Sequence, residues 1–342
     1  MKRKTKKNNK ISNKTKNKTK NKTKTNKHAN KHNKHIHSHK HKHSHSHKHS
    51  HKHKHSHSDK HTHEKEEKYE NVNCSPNPDT KEYTCYSDNS LFKMKSLWNA
   101  RHPRNKITTN NSKDIWNKLR ENMSSSCNRE SCWLRSKFME GKLDNELLNY
   151  TFAPKSETIW KSNEWLSSLD IESVMKQYEK YYKCFEFLGP SPIDFDHHKL
   201  YGECVWEELC KININDMIKR QKNKIGIILN TDPHYKDGEH WISLFINIKQ
   251  KYIIYFDSNG NNPPKEVTKL IEKINNQGKQ IGINFDILIN QLEHQKTDSE
   301  CGMYSLYFII EMLKDTDKKY FINNIIPDEE VFKLRKKYFN KN

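Results

Sequence analysis

Hydrophobic residues are almost absent from the first 63 positions and then arrive in two rhythms. From Leu91 to about residue 155 they fall at helical spacing, in LFKMKSLWNARHP, KDIWNKLRENM, SCWLRSKFM and LDNELLNYTF. These segments predict a small helical domain or arm over residues 91–155. From about Pro154 the rhythm is mixed. WLSSLDIESVMKQYEKYY predicts a helix with Val174, Met175, Tyr178 and Tyr182 on its apolar side, capped after Ser168 or Asp170. FLGPSPIDFD reads as a proline-broken loop or short strand, and VWEELCKININDMIKR as a helical patch. KIGIILN, HWISLFINI and YIIYFD predict strands, the last two joined by KQK as a hairpin. PKEVTKLIEKINNQGK predicts an amphipathic helix ending near Gly278, and INFDILIN a further strand. Cys301 opens CGMYSLYFIIEMLK, a helix whose apolar face is broad enough to be buried. The class is α+β: a mixed sheet flanked by helices over residues 156–342.

Composition changes the picture mainly at the N-terminus. Residues 1–63 hold 20 Lys, one Arg, 16 His and one acid, a formal charge of about +20 in a chain whose total is +21. The body from residue 64 is therefore nearly neutral, and the basic balance belongs to the tail. A segment so polar cannot offset its ordering entropy by burial, so residues 1–63 are expected to be disordered. Its lysines suit non-specific attraction to DNA or another polyanion, and its alternating histidines could hold a transition metal loosely. Residues 64–90 are polar, carry two prolines and read as a linker. The N-x-T matches at Asn13, Asn17 and Asn21 follow no apolar leader and are discounted as glycosylation sites. No apolar run is long enough to span a membrane. Eight cysteines in a long chain without a leader favour reduced thiols. A zinc site of Cys74, Cys85, Cys127 and Cys132 is conceivable, but the spacings are not those of a knuckle or ribbon, and buried free thiols are expected. No metal or other cofactor is expected in the folded body.

The candidate chemistry lies in GEHWISLFIN, YIIYFDSNGN and QLEHQKTDSECGMYSLYFI. They place His240, Asp257, Gln295 and Cys301 in that order, each at the end of an apolar run or in the turn after one. A free cysteine is a weak nucleophile at neutral pH, and an imidazole or a helix N-terminus beside it favours the thiolate. Cys301 stands at a predicted helix start, and His240 is the candidate base. Asp257 ends an apolar strand, where it could hold the second imidazole nitrogen across the hairpin. Gln295 could donate its amide to an oxyanion beside the Cys301 N–H. Singly, each residue has an ordinary structural explanation; the ordered set is what points to a thiol hydrolase.

That set, with Trp241 after the histidine, Ser258 after the aspartate and Gly302 after the cysteine, resembles the superfamily of SUMO proteases and adenovirus proteases. FLGPSPIDFD, ILNTDPHYKDGEHWISLFINI, YFDSNGN and ECGMYSLYFI look most like the polyprotein-processing proteases of African swine fever virus and related giant DNA viruses, such as mimiviruses. The resemblance covers roughly residues 91–340 and leaves out the basic tail. It implies a cysteine-protease fold over 156–342, with Cys301 as nucleophile, His240 as general base and Gln295 in the oxyanion hole. It leaves the third triad member open. The SUMO-protease pattern points to Asp257 and the swine-fever type to an amide in the same turn, matched here by Asn259; Asp257 is favoured because a carboxylate stabilises imidazolium better. Trp165 and Trp241 match a tryptophan pair that admits only a Gly-Gly substrate end. The implied task is cleavage of viral structural or core precursors at Gly-Gly-X sites in the host cytoplasm, with packaging of the enzyme in the virion. The alternatives are removal of ubiquitin-like modifiers and, for a degenerate site, an inactive scaffold.

Overall fold

The computed structural model describes residues 71–77, 80–142, 144–156, 164–199 and 201–341. The basic-tail reading of residues 1–63 lies outside them.

A five-stranded sheet organises the second half of the chain. Its strands are β1 (Phe185–Pro192), β2 (Lys224–Asn230), β3 (Trp241–Asn247), β4 (Tyr252–Phe256) and β5 (Asp286–Ile289), in spatial order β1-β2-β3-β4-β5. The two outer pairings are parallel, and the two inner ones antiparallel. Every residue of β3 and β4 is buried, because helices cover both faces. Alternation along β3 sends Ile242, Leu244 and Ile246 into one core and Trp241 and Phe245 into the other. The first core holds Val267, Leu270 and Ile274 of helix α4 (Lys265–Gln280). The second holds α3 (Ser168–Tyr181) and α5 (Cys301–Leu313), with Val331 and Tyr338 of a C-terminal helix α6 (Asp328–Tyr338) packed beneath them.

Of the two readings of FLGPSPIDFD, loop or short strand, the structure shows the strand: the segment supplies most of β1. Prolines 190 and 192 are tolerated there because β1 is an edge strand, bonded only to β2 and irregular between Leu188 and Ser191. The cap of α3 is Ser167, one residue earlier than expected, in a reciprocal capping box with Asp170. The VWEELCKININDMIKR patch resolves into two short helices, Glu207–Cys210 and Ile214–Lys219.

The helical arm has its own core. Leu91, Met94 and Trp98 of α1 (Asp88–Arg101) meet Ile115, Trp116, Leu119 and Met123 of α2 (Ser112–Met123) around Trp133. The expected linker is corrected where it is described. Tyr86 is fully buried, its hydroxyl donates to Glu130 O at 2.8 Å, and the Glu130 carboxylate accepts the Cys85 N–H and the Trp116 indole N–H. Two tyrosines and two cysteines anchor a stretch whose polarity suggested solvent. The free-thiol expectation is corrected too. Cys74 is paired with Cys85, Cys127 with Cys132, and Cys204 with Cys210, at Cα separations of 5.1, 6.0 and 6.3 Å; Cys184 and Cys301 are free. The four arm cysteines thus form two separate pairs and not one four-ligand set. No helix among the described residues is long and apolar enough to cross a membrane.

Candidate active site

The β3–β4 hairpin brings two functional side chains to its open end, since His240 immediately precedes β3 and Asp257 immediately follows β4. Imidazole Nε2 lies 2.6 Å from Asp257 Oδ1. The same carboxylate oxygen accepts the Asn259 backbone N–H at 2.9 Å, and the Asp257 carbonyl accepts Asn290 Nδ2 at 2.8 Å. Asp257 is only 2% exposed, so its carboxylate meets His240 and the Asn259 N–H rather than water. Asn259 is exposed and serves the site through its backbone. Of the two candidates for orienting the imidazole, the structure puts Asp257 in contact.

Cys301 is the first residue of α5, a helix so apolar that nearly all of it is buried beneath β3. The Cys301 side chain lies near enough to act on the same imidazole. Burial pulls the imidazole pKa down. The Asp257 carboxylate and the Cys301 thiol outweigh it and push the value up to about 9. An imidazole held by a carboxylate, with a cysteine at a helix N-terminus acting on it, is the arrangement of a thiol hydrolase.

Gln295 is buried in the loop before α5. Its amide oxygen accepts the Ser258 hydroxyl at 2.8 Å, and its amide nitrogen donates to Thr297 O. Trp241 is 7% exposed, its indole N–H donating to Leu166 O at 3.0 Å, whereas Trp165 is 43% exposed. Both indoles line a groove of about 680 Å³ with Ser191, Asn230, His234 and Gly238. Cys301 is not on its lining; Trp241, next to His240, joins groove to site. A Cβ at Gly302 would stand 2.9 Å from Leu166 Cβ and 3.2 Å from Trp241 Cδ1, so only glycine lets the start of α5 press against this wall.

Several supporting residues escape a sequence reading. Glu300, just before Cys301, is bonded at both carboxylate oxygens by the Arg335 guanidinium (2.9 and 3.0 Å), and Arg335 also donates to Glu164 O at 2.8 Å. Both side chains are essentially buried, at 4% and 1% exposure. One signal existed: Arg335 falls on the stripe of Val331 and Tyr338, where an apolar residue belongs. Asp328 Oδ2 accepts the Lys296 and Thr297 N–H groups at 3.0 and 2.8 Å. His294 accepts the Ile326 N–H at Nδ1, and burial lowers its pKa, keeping it a neutral structural group. Among the described residues no group of three or more His, Cys, Asp or Glu is placed to hold a metal.

The fold and this site define a cysteine protease. Residues 209–342 match the Ulp1 protease family, C-terminal catalytic domain. The chain is 30% identical over 287 residues to a protein of Acanthamoeba polyphaga mimivirus that carries a thiol-protease name, covering 78% of this chain and 92% of that protein. It is 27% identical over 243 residues to a protein of African swine fever virus named a SUMO-1 cysteine protease, covering 66% of this chain and 88% of that one. The crystal structure of an African swine fever virus protease superposes with a TM-score of 0.60 at 22% identity, over 79% of this chain and 96% of that one. The chain belongs to the Ulp1 family of cysteine proteases and is related to viral members of it.

Proposed function

We propose that this protease is an endopeptidase that cleaves viral structural or core precursor proteins at Gly-Gly-X sites. The observation that carries the catalytic part is one imidazole bonded to buried Asp257 and raised in pKa by both Asp257 and Cys301, the first residue of α5. In this reading the Cys301 thiolate attacks the scissile carbonyl. The oxyanion takes hydrogen bonds from the Cys301 N–H and the Gln295 amide. The protonated His240 gives its proton to the leaving amine. A water, deprotonated by His240, then releases the acyl group. Asp257 fixes the ring and stabilises its charge throughout. Trp165 and Trp241 supply flat walls that fit glycine and crowd out larger side chains.

A panel of internally quenched peptides, cleaved by the full chain, tests the specificity. Gly-Gly-X peptides are expected to turn over at least about tenfold faster than Ala-Ala-X analogues, a steric discrimination of the size a tight pocket gives. Equal rates would remove the tryptophan argument. A second reading, removal of a ubiquitin-like modifier, draws on the name borne by the swine fever relative. SUMO- and ubiquitin-fusion reporters decide it, since precursor processing predicts rapid peptide cleavage with slow fusion cleavage. We further infer action at the host-cytoplasmic assembly site, with packaging in the virion. The charge of residues 1–63 supports retention there by packaged DNA. Salt-dependent DNA binding that vanishes on deleting those residues is the expected result, and binding that persists would remove the idea.

A further inference from the structure

We propose that Ser258 is a positioning residue for the oxyanion: its hydroxyl anchors the acceptor end of the Gln295 amide and so holds the donor end in place. The proposal rests on the reading of Gln295 as an oxyanion donor. A glutamine amide has an acceptor end and a donor end of nearly the same shape, and only its neighbours decide between the two orientations. Here the Thr297 carbonyl decides, and Ser258 anchors the result. The Thr297 carbonyl can only accept, so the NH2 end must face it. The Ser258 hydroxyl then donates to Oε1 at 2.8 Å. One N–H is spent on Thr297, and the second remains for a developing negative charge. In the flipped orientation Oε1 would oppose the Thr297 carbonyl, a repulsive contact with no hydrogen bond.

The frame around this amide is fixed from two sides. Ser258 is 1% exposed and follows Asp257 directly, so the turn that holds the imidazole also holds the amide. The Ser258 carbonyl accepts the N–H groups of His294 and Gln295 at 2.8 and 3.0 Å, which ties the Gln295 backbone to the same residue as its side chain. From the other side, the Asp328 carboxylate holds the Lys296 and Thr297 N–H groups. Ser258 thereby couples the base-orienting turn to the oxyanion donor. Without its hydroxyl, Oε1 is buried with no donor, and the side chain gains by turning away.

A double-mutant cycle in the full chain tests this, reading kcat and KM on a cleaved Gly-Gly-X peptide, with a thermal melt as fold control. Gln295→Ala is expected to lose about 100-fold in kcat, as loss of one oxyanion donor does. Ser258→Ala is expected to lose about tenfold or more in kcat with KM within about twofold, a loss confined to the transition state. The double variant is expected to be no slower than Gln295→Ala alone, since Ser258 then has nothing to orient. A wild-type kcat in Ser258→Ala overturns the proposal. So does a double variant slowed by the full product of the two single losses, which is what a merely structural serine gives. Ser258→Cys keeps the volume and weakens the donor; where the alanine variant does not fold, it shows the kcat loss, and a wild-type kcat in it overturns the proposal. A Gln295→Ala enzyme with wild-type kcat removes instead the oxyanion reading itself.

Discussion

At the scale of residues, the site depends on a carboxylate and an imidazole 2.6 Å apart with water largely excluded. Asp257→Ala removes the partner that holds the ring and its charge, and a loss of about 100-fold or more in kcat is expected. Asn259→Ala keeps the backbone N–H that serves Asp257, so its kcat is expected to stay within about threefold of wild type. Steady-state kinetics on the two variants separates the candidates, and the reverse ranking contradicts the geometry. The raised His240 pKa makes a second prediction. A base whose folded pKa lies above its unfolded value of 6.5 lends stability that is complete below about pH 6.5 and lost as pH climbs through about 9. Denaturation midpoints should fall over that window, and the alkaline limb of kcat/KM should lie near 9. In Asp257→Ala, which lacks the largest raising influence, both should move to lower pH.

At the scale of elements, the buried Glu300–Arg335 pair joins α6 to the junction that presents Cys301. Arg335→Ala would leave a carboxylate buried and unpaired, at a cost of about 3–5 kcal/mol. A Glu300→Gln, Arg335→Met double variant removes both charges and should recover most of the lost melting temperature. If the single and double variants melt alike, the pair is not what holds the junction. Neither partner could be matched from the sequence, because 35 residues separate them and the contact exists only after α6 docks. The start of α5 at Cys301 was legible, as were the β3–β4 hairpin and α4, because their apolar periods are long and unbroken. β1 was legible only as one of two alternatives, loop or short strand, since prolines 190 and 192 argue against a strand until its place at the sheet edge is known. Residues 72–86 were misread for a related reason: their anchors are single tyrosines and cysteines rather than a periodic face. Among the site residues, the order His240, Asp257, Gln295, Cys301 could be read directly. The choice between Asp257 and Asn259 needed side-chain geometry.

At the scale of the molecule, the first and last described segments of the chain meet. The Asn73 N–H donates to Asn340 Oδ1 at 2.7 Å, and Asn340 Nδ2 returns bonds to Asn73 O at 2.8 Å and Ala153 O at 2.9 Å. Residues 155–156 and 340–341 pair in parallel beside them. These contacts place the end of α6, the helix that carries Asp328 and Arg335, against the arm. Asn340→Ala removes the partners of the Asn73 N–H and the buried Ala153 carbonyl and should cost about 1–3 kcal/mol, read as a lower denaturant midpoint with an unchanged slope. An unchanged midpoint would mean the arm contributes nothing to the stability of the protease part. The whole molecule, on this reading, serves one thiol: Cys301 performs the hydrolysis. Its most direct check is turnover of a quenched Gly-Gly-X peptide by the full chain, wild type beside Cys301→Ala, with both shown folded by their melts. Turnover by the wild type and none by the alanine variant is the expected result. Turnover that survives the loss of Cys301 would contradict it.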